Sequence, residues 1–162
     1  MLYLTLKYLH VIAAIFLFGF GMGSYLYLIA ASRTANPDVI AQVARMVVRY
    51  DTWITTPAGC VQVITGYALV RVSGLSLLTD WVLSSLVVFV CVGALWLPVL
   101  VLQKRLERMA VAAVAGGVAL GAQFQAIYRA WFWMGVAGFL GMFVIVVMMV
   151  SKMTVLQLWR MV

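Results

Sequence analysis

Residues 4–29 read LTLKYLHVIAAIFLFGFGMGSYLYLI, an apolar run in which Lys7 is the sole Lys, Arg, Asp or Glu. A helix needs ~20 apolar residues to cross ~30 Å of hydrocarbon, and Lys7 lies near enough to the end to extend its ammonium group to the membrane surface. A signal peptide would also place a basic residue before an apolar run. This run is longer than a signal's apolar core and lacks a small-x-small cleavage pattern, so it predicts a membrane-spanning helix.

The composition of the whole chain agrees with this interpretation. Of its 162 residues, 67% are hydrophobic and 9% charged, which is too apolar for a soluble domain of this size. The apolar runs are continuous instead of alternating, so helices are favoured over a β-barrel. The sequence predicts an all-α membrane protein, a four-helix transmembrane bundle that forms a single domain over residues 1–162. The predicted spans are 4–29, 53–72, 81–102 and 131–150.

The first loop predicts one interfacial amphipathic helix. Asn36-Pro37-Asp38 combines a capping side chain, a proline at the first helical position and an acid in the first turn. The residues that follow alternate with helical periodicity, which is typical of a helix on the membrane surface. The apolar face comprises Val39, Ile40, Val43 and Val47, and the polar face comprises Asp38, Gln42, Arg45 and Arg49. Such a helix is either a plain connector or a functional surface element.

The third loop has two parts. Residues 103–110 are charged and basic, whereas residues 111–122 are apolar but too short to cross a bilayer. The second part also contains Gly116, Gly117 and Gly121. It predicts a short helix or a loop at the membrane interface.

The distribution of Lys and Arg predicts the orientation. Loops one and three hold seven of the 11 basic residues: Arg33, Arg45, Arg49, Lys104, Arg105, Arg108 and Arg129. The opposite side holds Lys7, Arg71, Lys152 and Arg160. Because basic loops stay in the cytoplasm, both termini are predicted to lie outside. The net charge of +7 then reflects contact with anionic lipid and does not indicate nucleic-acid binding.

His10 is the sole histidine, and it lies about 9 Å inside the first span at 1.5 Å per residue. An ionisable side chain at such a depth usually faces the interior of a bundle. Three interpretations remain open. The neutral imidazole could be an axial ligand of haem iron, the ring could carry a proton, or it could simply form hydrogen bonds with a neighbouring helix.

Gln62 is the strongest polar group of the second span, and Thr65 and Gly66 follow it by one turn. Antiparallel threading places Gln62 nearer the inner face than His10, so direct contact between the two is not expected. The residues predicted to lie level with His10 are apolar: Leu69, Leu86 and Val144. A second iron ligand would therefore come from Met142, Met148 or the His10 of another copy.

Glycine spacing predicts close helix packing. Gly19 and Gly23 form a small-xxx-small pair, and Gly135, Gly138 and Gly141 recur every three residues. These surfaces fit either packing within the bundle or contacts with a second copy or a larger membrane complex. The cysteines, Cys60 and Cys91, lie in predicted spans, where they act as small packing residues. The predicted spans contain no acidic residue, which argues against an ion-coupled transporter.

Several motifs are typical of one family: Leu6-Lys7-Tyr8-Leu9-His10-Val11, Asn36-Pro37-Asp38, Val48-Arg49, Thr55-Thr56-Pro57-Ala58, Gln62, Thr65-Gly66, Trp96-Leu97-Pro98, Tyr128-Arg129 and Trp131-Phe132. Through them, over essentially its whole length, the chain resembles a family of small bacterial predicted integral membrane proteins known as domain of unknown function 2269. The resemblance implies a multi-pass protein of the bacterial cytoplasmic (inner) membrane.

Leu9-His10 and Thr56-Pro57-Ala58 followed by Gly66 are similar, more distantly, to haem-binding bacterial protoporphyrinogen oxidases and copper-resistance membrane proteins. That likeness implies haem b with His10 as axial ligand, and Gln62, Thr65 and Gly66 as further site candidates. The oxidases also carry a lysine and a histidine in their third span, whereas residues 81–93 here contain neither. Haem binding by His10 implies a b-type haem protein in electron transfer or in an oxidase-like role. The alternatives are a non-enzymatic structural or assembly subunit and a porphyrin- or copper-handling protein.

Overall fold

The computed structural model describes residues 1–160, and every regular element in that range is a helix. The α-helices are α1 (Leu2–Arg33), α2 (Pro37–Tyr50), α3 (Thr56–Val72), α4 (Asp80–Gly116), α5 (Ala122–Ser151) and α6 (Val155–Trp159). A π-helical turn, Asp51–Thr55, joins α2 directly to α3. The helices α1, α4 and α5 are long and apolar enough to cross a membrane.

The second predicted span corresponds to the π turn and α3. With 17 residues, α3 alone is at the lower limit for crossing a bilayer. The five residues of the π turn extend it to 22. A fourth crossing therefore stays a prediction, whereas three candidate spans are present in the described residues.

The helices form two pairs. In one pair α1 packs against α3, and in the other α4 packs against α5. The helix α2 contacts both α1 and α4 and so connects the pairs at one end. Over the described residues α3 makes at most marginal contact with α4 and α5. The helix α1 meets α5 mainly through aromatic side chains: the Tyr25 hydroxyl donates a hydrogen bond of 2.7 Å to the Phe132 carbonyl, and Phe18 packs against Phe143. The two pairs are therefore separated mainly on the side of α3.

The helix α4 continues beyond any bilayer. Its 37 residues measure about 55 Å, against ~30 Å of hydrocarbon. The prediction of a separate short helix or interface loop over residues 111–122 was wrong, because α4 runs unbroken to Gly116. Gly117 then ends the helix with a left-handed conformation, φ 60°. Residues 103–116 are rich in good helix formers such as Ala, Leu, Arg and Met, so nothing in this segment breaks the helix.

The helix α2 begins as predicted, since the Asn36 side chain accepts a hydrogen bond of 2.9 Å from the Asp38 N–H. Its apolar face packs on protein: Ile40 and Val47 are buried, together with Ala41 and Ala44. They join a core with the second half of α4 and the start of α5. The protein itself therefore covers most of the face that was predicted to lie on the membrane, and an interfacial position of α2 stays a prediction.

Two of the recurring glycines pack within the bundle. A Cβ at Gly135 would collide with the Tyr25 ring of α1, and a Cβ at Gly141 would collide with Val92 of α4. By contrast, a Cβ at Gly19 would meet nothing within 4 Å. Close packing inside the bundle thus accounts for the glycines of α5, while a contact with a second copy through Gly19 and Gly23 stays a prediction.

Candidate functional sites

The structure brings all four predicted site residues together. His10 of α1 lies against α3, with its Nδ1 2.9 Å from the Thr65 Oγ1 and its Nε2 2.9 Å from the Gln62 Nε2. A Cβ built on Gly66 would lie 3.1 Å from the His10 Cε1. The imidazole therefore rests on the bare backbone of Gly66 between two polar side chains of the same helix.

The hydrogen-bond donors and acceptors around His10 indicate which of its ring nitrogens carries a proton. The Thr65 hydroxyl donates its one proton to the Val61 carbonyl at 2.6 Å, so towards His10 it acts as an acceptor. His10 then donates through its Nδ1–H, and its Nε2 lone pair accepts from the Gln62 amide. This is a neutral imidazole with both nitrogens partnered, as in the interpretation of a histidine that bonds a neighbouring helix.

The expectation that His10 and Gln62 do not meet was wrong. Counting residues inward from the predicted membrane surface had placed Leu69 level with His10. The observed partners, Gln62 and Thr65, lie one to two helical turns earlier in α3. The register of the pair follows from helix packing, which hydropathy does not encode.

The residues around His10 do not fit haem ligation as they stand. An axial ligand needs the Nε2 lone pair, and Gln62 already donates to that atom. The described residues also contain no group of three or more His, Cys, Asp or Glu side chains that could hold a metal ion. Haem binding by His10 would require the Gln62 amide to turn away, and it stays a prediction.

A second polar cluster lies where the two helix pairs come together. Asp51 in the π turn accepts a hydrogen bond from the Thr55 hydroxyl at 2.9 Å and from the Gln103 amide of α4 at 2.9 Å. Asp51 is 3% exposed and Gln103 4%. This cluster ties the α1–α3 pair to α4.

The π turn gives Asp51 this position. The Thr56 N–H bonds to the Asp51 carbonyl five residues earlier, and the Thr56 hydroxyl donates to the same carbonyl at 2.7 Å. Such turns are rare and occur frequently at functional sites. The turn thereby places the Asp51 carboxyl against the Thr55 hydroxyl and the Gln103 amide.

The amide of Gln103 is only half satisfied. Its NH₂ group donates to Asp51, whereas its Oε1 is buried without a hydrogen-bond partner. Rotating the amide would place Oε1 against the carboxylate oxygen and would break the bond, so the orientation is fixed. A buried acceptor without a partner costs about 1–3 kcal/mol, and therefore it calls for an explanation.

A cavity of about 460 Å³ adjoins this cluster between the two helix pairs. Asp51, Thr55 and Gln103 line it together with many apolar side chains, including Leu17, Phe89, Val92, Trp96, Val99, Met134, Phe139 and Met142. The glycines Gly93 and Gly138 also line it, and a Cβ on either would meet nothing within 4 Å. The structure thus holds an apolar chamber with a few polar groups in its wall.

Several side chains in the cavity wall also reach the surface of the molecule. Val63 of α3 is 54% exposed and Leu97 of α4 is 62% exposed. Cys60 of α3 is exposed as well and lies in the same wall. This part of the wall is apolar, and Leu97 belongs to one of the candidate membrane spans.

Sequence reasoning named the residues of the His10 cluster without predicting their contact, and it missed the Asp51 cluster. Asp51 lies between the amphipathic helix and the second predicted span and was not singled out, and Gln103 was assigned to the basic third loop. One signal was available: Asp51 and Thr55 are spaced by four residues, which puts them on one helical face. Nothing in the sequence indicated that Gln103 pairs with them.

An all-helical chain with three long apolar helices defines the class of the protein as an integral membrane protein. Comparison with family descriptions identifies it further. The chain belongs to the family described as "Predicted integral membrane protein (DUF2269)", which matches residues 4–153. No curated protein and no solved structure matched the chain, so the more distant resemblance to oxidases and copper-resistance proteins stays a prediction.

Proposed function

We propose that this protein is a membrane-embedded binding protein that takes a small lipophilic molecule from the bilayer into the cavity between its two helix pairs. The observation that carries the proposal is the cavity itself, with its apolar wall and with the exposed side chains of Val63 and Leu97 in that wall. We take the opening to lie between these two residues and to face lipid. Ligand sites are typically clefts of about 300–1,000 Å³ that combine apolar lining with a few polar groups. The volume of about 460 Å³ falls in that range.

The orientation belongs to the same proposal. With α3 as a fourth crossing, the basic loops lie in the cytoplasm of a bacterial cell and both termini lie outside. Gln103 is followed directly by Lys104 and Arg105, so the polar end of the cavity is the cytoplasmic end. A ligand would then enter from the lipid side with its polar group towards the cytoplasmic surface.

The cavity favours this function over two of the three functions expected from the sequence, the b-type haem protein and the structural subunit. A b-type haem protein would use His10, whose ring nitrogens are both engaged and which does not line the cavity. A purely structural role would not explain a cavity that lies beside the unpartnered Gln103 Oε1. An absorption spectrum of purified protein from haem-producing cells checks the first alternative, because a Soret band that disappears in His10→Ala would establish haem.

Filling the cavity tests the proposal. Gly93→Leu and Gly138→Leu each add a side chain where a Cβ meets no neighbour, so they reduce the space without an initial clash. The probe is ω-bromododecanol, whose bromine quenches tryptophan fluorescence at close range, in nanodiscs that hold the protein. Trp96 lies in the cavity wall. The part of the saturable quenching that disappears in Trp96→Phe therefore measures binding of the probe in the cavity.

We expect each leucine variant to raise the half-saturating probe concentration at least about tenfold, the equivalent of ~1.4 kcal/mol. The matched control is Gly19→Leu on α1, where the glycine is equally open but lies outside this cavity. It should bind the probe like the wild type. Saturable Trp96 quenching that survives unchanged in both cavity variants would overturn the proposal.

A further inference from the structure

We infer that the ligand of this cavity carries a protonated amine, which Asp51 and the Gln103 carbonyl oxygen bind together. The inference rests on the proposed function and names the chemical class of its ligand: an ammonium-headed amphiphile with an apolar tail. Three features of the polar end support it, namely its charge, its free acceptors and its position in an apolar chamber.

The first feature is a buried carboxylate without a cationic partner. The side chains that donate hydrogen bonds to the Asp51 carboxylate are those of Thr55 and Gln103, and both are neutral. Within residues 1–160 no Lys, Arg or His is among them. Buried charges are normally paired, because removing an ion from water costs several kcal/mol. A cation in the cavity would provide the missing counter-charge.

The nearest basic residues in the sequence do not fill this role. Lys104 and Arg105 follow Gln103 directly, but both are exposed, since consecutive helical positions diverge by about 100°. Arg49 precedes Asp51 by two residues and is exposed too. These cations lie on the outer surface of the bundle, whereas the carboxylate lies inside.

The second feature is the supply of acceptors. The Gln103 Oε1 is buried and has no partner, and an ionised carboxylate offers about four lone-pair sites, of which the neutral donors use only some. An ammonium group has three donors and no acceptor, so it can satisfy both residues at once. A hydroxyl has one donor and brings no charge, and a carboxylate headgroup would be repelled by Asp51.

The third feature is the apolar remainder of the cavity. Side chains such as Phe89, Trp96 and Met142 line it, and the opening leads to lipid. A small hydrated cation would gain nothing from these walls, and the described residues offer no group of three metal-ligating side chains. A tail of hydrocarbon attached to the ammonium fits them.

The test compares three probes that differ only in headgroup: ω-bromododecylamine, ω-bromododecanol and ω-bromododecanoate. An alkylamine is protonated at neutral pH, as its pKa near that of lysine, about 10.4, indicates. Saturable quenching of Trp96 in wild-type nanodiscs should follow the order amine, alcohol, carboxylate. We expect the amine to half-saturate at a concentration at least about tenfold lower than the alcohol.

Asp51→Asn removes the charge while keeping the shape, and it should bring the amine and the alcohol within about threefold of each other. The matched control is Asp80→Asn, an exposed acid at the far end of α4, which should keep the wild-type preference. Equal binding of amine and alcohol by the wild type would overturn the inference. So would a preference that persists in Asp51→Asn.

The failure of this inference and the failure of the proposed function give different results. If the alcohol and the amine bind equally and Gly138→Leu weakens both, the cavity is a ligand site without selection for amines. If none of the three probes gives saturable Trp96 quenching, the proposed function is wrong and the inference falls with it. The wild-type comparison needs no variant, so poor folding of Asp51→Asn would not prevent a decision.

Discussion

The two polar clusters of this protein differ in the space beside them. The His10 cluster joins α1 to α3, and both imidazole nitrogens have partners, while the Gln62 Oε1 is buried without one and does not line the cavity. The Asp51 cluster joins the two helix pairs, and it leaves a carbonyl oxygen of Gln103 without a partner beside a cavity. The histidine is the more conspicuous residue in the sequence. The comparison teaches that an unpartnered buried oxygen does not by itself define a ligand site, since only the Asp51 cluster has a cavity beside it.

Asp51→Ala should give the largest loss of stability. It leaves the Thr55 hydroxyl and the Gln103 amide without their acceptor, and each buried orphan costs about 1–3 kcal/mol. We therefore expect the free energy of unfolding to fall by roughly 2–4 kcal/mol, measured by titration of the detergent-solubilised protein with a denaturing detergent. Asp80→Ala is the control, since Asp80 is exposed. An unchanged unfolding midpoint for Asp51→Ala would show that the cluster does not hold the pairs together.

His10→Ala sharpens the comparison, because it should affect stability without affecting binding. The substitution removes the partners of Gln62 and Thr65 across the α1–α3 contact, at an expected cost of about 1–3 kcal/mol. Quenching of Trp96 by ω-bromododecylamine should keep its wild-type concentration dependence. A tenfold weaker response in a variant that still folds would show that the two clusters are coupled.

Gly66→Ala should have the smallest effect of the three. Its new methyl group would lie 3.1 Å from the His10 Cε1, so the ring must shift and weaken its hydrogen bonds, for a net loss of about 1 kcal/mol. The control is Gly59→Ala on the same helix, where the methyl would lie an ordinary 3.8 Å from the Leu17 Cδ1. That variant should be neutral or more stable by up to ~1 kcal/mol, since alanine favours helix. Equal unfolding midpoints for the two variants would contradict the tight contact at His10.

Hydropathy predicted the parts of this fold that depend on which segments avoid water. The helices α1 and α5 contain the predicted spans 4–29 and 131–150, and Asn36 caps α2 as its sequence indicates. Patterns of apolar residues report which side chains avoid water, and capping motifs act locally, so both are readable without a structure.

Features that depend on packing between helices were not predictable in this way. The contact of His10 with Gln62 follows from the register of α1 and α3, which shifts by a turn at little cost in hydropathy. The charges around Gln103 suggested a loop, but α4 continues through them, and its far half packs against α2. The cavity arises from the separation of two helix pairs, which is a relation among four segments and has no signature in any one of them.

The π turn changes the direction in which the side chains of α3 point relative to those of α2. From Pro37 to Val72 the backbone is helical without interruption, so α2 and α3 would share one helical phase if no residue were inserted. A π turn accommodates an extra residue, which rotates everything after it by about 100°. Because of that offset α2 can direct Ile40 and Val47 into the core while α3 directs Gln62 and Thr65 at His10. Deleting one residue within 51–55 would remove this rotation. The core-facing side of α2 and the His10-facing side of α3 could then not both reach their partners, and one of them would have to face lipid.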